Sequence, residues 1–180
     1  ALGLLGRYDE ALVLDEQAIE RDATRAFAFA NKGTHLGRKA VGEQIDLELV
    51  DEADRAFAKA VELAPEDATI RRNYGVMLGE VGRYSEARRE LQVALKLRPG
   101  DVATLRSLGF VSTKLGDHEG AFAADSQAAR LAPNHAVVWR SVGVDLLNLG
   151  RYEEALHAFE QATQRAPERA EMRQAKAAAL

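Results

Sequence analysis

The chain has 180 residues, 47% apolar and 29% charged, the balance of a globular protein rather than a disordered or fibrous one. An aromatic content of 6% with four prolines argues against a strand-and-turn β protein, and the lack of cysteine excludes disulfides, thiol chemistry and cysteine-based zinc sites. A formal charge of −4 points away from nucleic acid, and no apolar run approaches the ~18 residues of a membrane span. A soluble chain is expected, with the cytoplasm favoured.

Residue Ala1 enters partway through a helical pattern, and Ala175 to Leu180 also stop in mid-pattern, so a fragment, an excised domain or a processed chain is expected. Gly6-Arg7-Tyr8-Asp9-Glu10-Ala11 sets a phrase that returns as Gly82-Arg83-Tyr84-Ser85-Glu86-Ala87 and as Gly150-Arg151-Tyr152-Glu153-Glu154-Ala155. Gly116-Asp117-His118-Glu119-Gly120-Ala121 lies midway between the last two, which sets the period at 34 residues. An alanine, a bulky residue, another alanine and a proline follow at fixed offsets: Ala53, Phe57, Ala60, Pro65; Ala87, Leu91, Ala94, Pro99; Ala155, Phe159, Ala162, Pro167. Ala121, Asp125, Ala128 and Pro133 keep the spacing but put an acid in the bulky slot, as Asp15 does near the start.

In chain order the predicted elements are a half repeat at 1–25, full repeats at 26–67, 68–101, 102–135 and 136–169, and a final helix over 170–180. Each full repeat reads as two helices. Apolar residues at helical spacing run through Leu105, Leu108 and Gly109, and again through Trp139, Val142, Gly143 and Leu146, which places Trp139 in the core. Gly82, Gly116 and Gly150 end the first helix as C-caps, acidic residues such as Glu153 and Glu154 favour the start of the second, and proline ends it. Gly75, Gly109 and Gly143, set opposite Ala87, Ala121 and Ala155, are expected to let the paired helices approach closely. The repeat at 26–67 carries about eight extra residues near 37–46, to be taken up as extra helical turns or as a looped-out connection. Gly33, Gly37 and Gly42 there do not make a phosphate loop, because no Gly-Lys-Ser/Thr ending follows and no strand precedes them.

The unit Trp139-x₂-Val142-Gly143-x₂-Leu146…Ala155-x₃-Phe159-x₂-Ala162-x₄-Pro167 resembles the tetratricopeptide repeat family. The resemblance covers nearly the whole chain. It implies an all-α fold, an α-solenoid of stacked helix-turn-helix repeats forming a right-handed superhelix, with first helices lining a concave groove. Such a groove suits an extended peptide or a partner's helix, so the implied function is a non-catalytic protein-interaction module.

If Tyr74, Gly75 and Leu78 point into the stack, then Thr69, Asn73, Val76 and Glu80, with Arg72 beside them, face the groove. Three rows follow at the repeat interval: Arg72, Arg106 and Arg140; Asn31, Asn73, Ser107 and Ser141; Val76, Phe110 and Val144. Lys114 and Asn148 lie one turn further on. Guanidinium groups grip carboxylates, small polar groups pair with an extended backbone, and the apolar row accepts side chains, so an acidic or carboxylate-bearing peptide is the expected ligand. The bland alternative is an arginine-decorated solvated face. Family members that clamp chaperone tails place an asparagine three residues after the slots of Asn31, Asn73, Ser107 and Ser141. Here those positions hold Thr34, Val76, Phe110 and Val144, so that clamp is not supported. Asn31 and Asn73 resemble the start of the family's backbone-holding asparagine ladder, which then lapses to serine.

Residues 1–67 hold 8 Lys/Arg against 15 Asp/Glu, a net of −7, and the remainder hold 16 against 13, a net of +3. That division suits end-to-end stacking into a homo-oligomer, so a self-assembling scaffold is the alternative, as is the recognition arm of a larger enzyme. No metal site is expected, since His35, His118, His135 and His157 lack ligand spacing, and no cofactor is called for. His118 and Asp125 sit seven residues apart on one helix face and are expected to pair, either as a buried compensated defect or as part of a second binding surface. Nothing makes a nucleophile, and the chain does not read as an enzyme.

Overall fold

A computed structural model describes residues 7–168 of the chain. The final helix expected over 170–180 lies outside the described residues. Among those residues the structure is all-α, nine helices with one isolated bridge between Val41 and Ile45, and it is a solenoid of helical repeats. Two compact units divide it, the first running to Arg98 and the second from Pro99. The first holds α1 (Tyr8–Arg21), α2 (Ala26–Ala40), α3 (Leu47–Leu63), α4 (Ala68–Glu80) and α5 (Tyr84–Leu97). The second holds α6 (Val102–Lys114), α7 (His118–Leu131), α8 (Ala136–Asn148) and α9 (Tyr152–Arg165).

In each unit the strongest packing is between partners of a pair: α2 on α3 and α4 on α5 in the first, α6 on α7 and α8 on α9 in the second. Neighbouring pairs stack through α1 on α2, α2 on α4, and α7 on α8. A lone pair cannot bury its apolar stripe, and stacking supplies the missing cover.

The recurring hexapeptide now has a physical reading. Gly82, Gly116 and Gly150 have φ of +82°, +76° and +71°, a conformation open to glycine at no steric cost. Each closes a Schellman motif: Arg83, Asp117 and Arg151 N–H groups donate to the carbonyls of Leu78, Ser112 and Leu146 at 2.8–2.9 Å. The arginine that follows Gly82 or Gly150 stands at the N-cap position of the next helix without a side-chain cap bond, and its guanidinium pairs with the glutamate three residues on. Arg83 Nε meets Glu86 at 2.8 Å and Arg151 Nε meets Glu154 at 2.7 Å.

Inside the pairs, the glycine of the first helix faces the bulky residue of the second more closely than the alanine expected from the sequence. A Cβ built on Gly33, Gly75, Gly109 or Gly143 would stand 2.6–2.7 Å from Phe57, Leu91, Asp125 or Phe159 respectively. At Gly75 the alanine also comes near, through the Ala87 carbonyl at 3.1 Å. Gly33 and Gly37 are thus packing residues within α2, pressed by Phe57 and Met77.

The eight-residue excess is shared among three places. Helix α2 exceeds α4 by two residues, α3 exceeds α5 by three, and the six-residue connection 41–46 exceeds its three-residue equivalent 81–83 by three. Asp46 ends the connection, accepting from the Glu48 and Leu49 amides at 3.0 and 3.2 Å as the N-cap of α3. Trp139 packs against the core at Ala162 and Ala166, on its margin. It is half-buried, with its indole N–H donating to the Pro133 carbonyl at 2.8 Å and the Arg165 guanidinium 5.2 Å over the ring.

Gly143→Ala is expected to lower stability by about 1–3 kcal/mol, because its Cβ meets the fixed ring of Phe159. Gly100→Ala, with no heavy atom within 4 Å of the new Cβ, leaves stability within about 0.5 kcal/mol. Urea unfolding of the two variants measures both.

Candidate functional site

In the second unit, α6, α7 and α8 enclose a pocket of about 560 Å³. Helix α6 brings Arg106, Phe110, Thr113 and Lys114 to it, because steps of three and four residues share a helix face. Helix α8 brings Val137, Arg140, Ser141, Val144 and Asp145, and α7 contributes Asp125 alone. Phe110 is 51% exposed, and Lys114 Nζ rides 5.6 Å above its ring. Neither Arg106 nor Arg140 joins an ion pair among the described residues, and the Nε of each is buried without a hydrogen-bond partner. Elsewhere Arg71 is tied to Glu90 at 2.9 Å and Arg151 to Glu154 at 2.7 Å.

Asp125 and Asp145 are 4% and 2% exposed and meet across the α7–α8 contact. Asp125 is in the slot that Phe57, Leu91 and Phe159 fill in other repeats, against Gly109. Asp145 stands twenty residues later, at the position equivalent to Met77 and Val111. The same register at the start of the chain holds Asp15 and His35, whose Nδ1 lies 2.6 Å from the carboxylate. Polar pairs therefore occupy a register that is apolar at Phe57/Met77 and Leu91/Val111.

Burial, then the charge of Asp145 and a hydrogen bond with it, pushes Asp125 up to about 8. Burial likewise pushes Asp145 up to about 6, against the lowering effect of hydrogen bonds from Thr113 and Asp125 and of the nearby His118. Thr113 Oγ1 lies 3.2 Å from Asp145 Oδ1 and 3.1 Å from the Gly109 carbonyl. Two carboxyl groups in contact in a poorly solvated site cannot both ionise cheaply, so near neutral pH they hold one proton between them. Asp15 is raised too, again chiefly by burial, with His35 and Lys32 opposing.

Six of the residues expected to face a groove thus line one pocket: Arg106, Phe110, Lys114, Arg140, Ser141 and Val144. Ser107, half-buried, and Asn148, exposed, stand outside its lining. In the first unit Asn31 is exposed on α2, while Arg72, Asn73 and Val76 are half-buried on α4. There Arg72 Nη2 donates to Asn73 Oδ1 at 3.3 Å. None of the four lines that unit's 400 Å³ pocket around Phe29, Lys32 and Glu52. The expected His118–Asp125 hydrogen bond is not made. His118 Nδ1 has no partner, and Asp125 turns to Asp145 because α8 brings a second carboxyl within reach. Asp145 and Thr113 escaped the sequence reading. The signal was the twenty-residue register, in which an acid at 125 needed a polar answer at 145. A second, mostly apolar pocket of about 540 Å³ lies between α7 and α9, against Phe122, Trp139 and Leu146.

A stack of helical hairpins that presents first-helix side chains around a pocket defines a repeat-type interaction module. Sequence profiles of the tetratricopeptide repeat match residues 43–101, 78–136 and 136–169, and the chain belongs to the tetratricopeptide repeat (TPR) family, whose arrays are in general non-catalytic interaction modules. A comparison with curated protein sequences finds no match. Among solved structures, MamA is 19% identical over 94% of this chain and 95% of its own, with a TM-score of 0.77. YrrB, a TPR protein with an unusual peptide-binding site, is 23% identical over 98% of this chain and 87% of its own, at 0.75. TTC0263, a thermophilic TPR protein of Thermus thermophilus, is 24% identical over 99% and 95%, at 0.69. At these identities the likeness is one of fold. Among the described residues no helix is long and apolar enough to cross a membrane.

The upward shifts fix a sign for stability. At neutral pH the folded chain keeps one proton on the Asp125–Asp145 pair, whereas the unfolded chain, with both acids near 4, has released both. The pair's contribution is intact below about pH 4 and is lost as pH rises through about 6 and then about 8. Relative to wild type, Asp125→Leu, which restores the residue of Leu91, is expected to gain about 1–3 kcal/mol at pH 8 and less at pH 5. Urea unfolding at the two pH values provides the check.

Proposed function

We propose that this chain is a non-catalytic module that binds an extended, carboxylate-bearing peptide through the first-helix face of its repeats. The observation that carries the reading is the pair of arginines, Arg106 and Arg140, held without ion-pair partners among the described residues on the wall of one pocket. A guanidinium kept unpaired beside an exposed phenylalanine is costly to stability and useful to binding. Arg106 and Arg140 supply the anion grip, Ser141 a backbone contact, and Phe110 with Val144 an apolar seat. Asn31, Arg72, Asn73 and Val76 carry the same residue pattern within the first unit, and Ser107, Lys114 and Asn148 add to it within the second.

Peptide binding accounts for these arginines, whereas the −7 and +3 charge division that suits a self-assembling scaffold is indifferent to them. The recognition arm of a larger enzyme would use the same face. The overall charge of −4 favours a protein partner over nucleic acid.

The test is calorimetric titration with acetylated eight-residue peptides of alternating glutamate and leucine ending in a free carboxyl group. The wild-type chain is expected to bind, with affinity falling as salt rises. Arg106→Glu and Arg140→Glu are each expected to weaken binding at least about tenfold with unchanged helical circular dichroism. Equal affinity for both variants and wild type would refute the assignment.

A further inference from the structure

The carboxylate-binding reading leaves the acid pair on the pocket wall without a task. Among the described residues, the buried side-chain atoms that no N–H, O–H or acceptor of another residue serves are Arg106 Nε, Arg140 Nε, His118 Nδ1 and one oxygen of each acid, Asp125 Oδ1 and Asp145 Oδ2, for which the proton between the two carboxyls is the one remaining partner. Four belong to residues that line the one pocket, and the fifth, on His118, belongs to a side chain that acts on Asp145. Folded proteins leave few such atoms, because each forfeits its solvation without a bond in return. Their gathering in one place marks a site whose polar groups are arranged for something other than stability.

The groups that act on the acids or share their pocket come from three helices. Helix α6 presents Arg106, Thr113 and Lys114, α7 presents His118, and α8 presents Arg140. An ionised Asp125 competes for Arg106, the cation whose field acts on it. A protonated Asp125 is neutral and leaves that guanidinium to an incoming anion. A third carboxylate arriving beside two buried ones must in turn raise their hold on protons, since like charges in a poorly screened site repel.

We propose that the pocket of the second unit takes up a ligand carboxylate and a proton together. The carboxylate seats on Arg106 and Arg140, and the proton, drawn from solvent, is kept by the Asp125–Asp145 pair behind them. No covalent bond changes, and release of the ligand returns the proton. Linkage makes the coupling reciprocal: whatever strips the proton weakens the ligand, and the ligand strengthens the proton's hold. The pocket is thereby a pH-gated site for acidic peptides, closing as the solution turns alkaline. This rests on the carboxylate-binding reading and adds to it a counted proton.

The test uses the same glutamate–leucine peptides, titrated calorimetrically between pH 7 and pH 9, above the ordinary histidine range, in phosphate and in Tris. The expected result is affinity that weakens about fivefold across that range. The heats in the two buffers should differ by the amount that marks proton uptake near pH 8. Asp125→Asn and Asp145→Asn, checked for helicity by circular dichroism, are each expected to abolish most of that pH dependence. Wild-type binding with no proton uptake and no pH dependence would overturn this proposal alone. A pH dependence that survives unchanged in both folded variants would also overturn it, by placing the proton elsewhere. Absence of binding at every pH would overturn the carboxylate-binding reading and the proposal with it.

Discussion

A glycine in the first helix of each pair, pressed by one side chain from the second, is the contact on which the rest of this structure depends. At Gly33, Gly75 and Gly143 the pressing group is Phe57, Leu91 or Phe159, and no room is left for a Cβ. That approach brings the helices of a pair close enough to bury their alanines, among them Ala53, Ala87 and Ala155, completely. Close packing of this kind tolerates little change of volume, so the period of the sequence is in effect the period of these contacts. At Gly109 the pressing group is Asp125, and the architecture is kept while its chemistry changes.

An acid in that position cannot escape to water, because the glycine and its neighbours hold it in place. The second carboxyl, from Asp145, makes matters worse unless one proton is shared, which is the familiar outcome when like acids are forced together. The other end of the chain solves the same problem differently. There Asp15 meets His35 at 2.6 Å, a pairing that sets an imidazole, not a second carboxyl, against the buried acid. The two arrangements occupy one register, so the difference is one of residue choice and not of fold. Among the described residues, only the Asp125–Asp145 pair has unpaired guanidinium groups on the same pocket, and that combination ties a packing irregularity to recognition.

Much of the fold was legible in the sequence because glycine and proline act locally. Gly82, Gly116 and Gly150 adopt the positive φ their role as helix caps demands, and the connections after them are alike. The eight-residue excess shows in the spacing of the sequence, yet its division among two helices and a loop depends on which backbone amides find partners, and on Asp46 as a cap. Trp139 shows a different limit. Helical periodicity assigns it to the buried stripe, but a ring whose N–H must reach the Pro133 carbonyl settles at the edge of the core. Of the pocket, the arginine, serine and apolar positions followed from the 34-residue interval. The acid pair did not, because Asp145 makes sense only against a residue of the preceding repeat, and periodicity within one helix carries no sign of that partner.

The central claim is that Asp125 and Asp145 share a proton near neutral pH in the folded chain. Carbon-13 labelling of aspartate, with the two Cγ resonances assigned by single Asp→Asn variants and followed from pH 4 to pH 9, observes that proton directly. The account predicts coupled titrations, with one proton retained past pH 7 and the last lost near pH 8. Two independent titrations near the ordinary aspartate value of about 4 would contradict it.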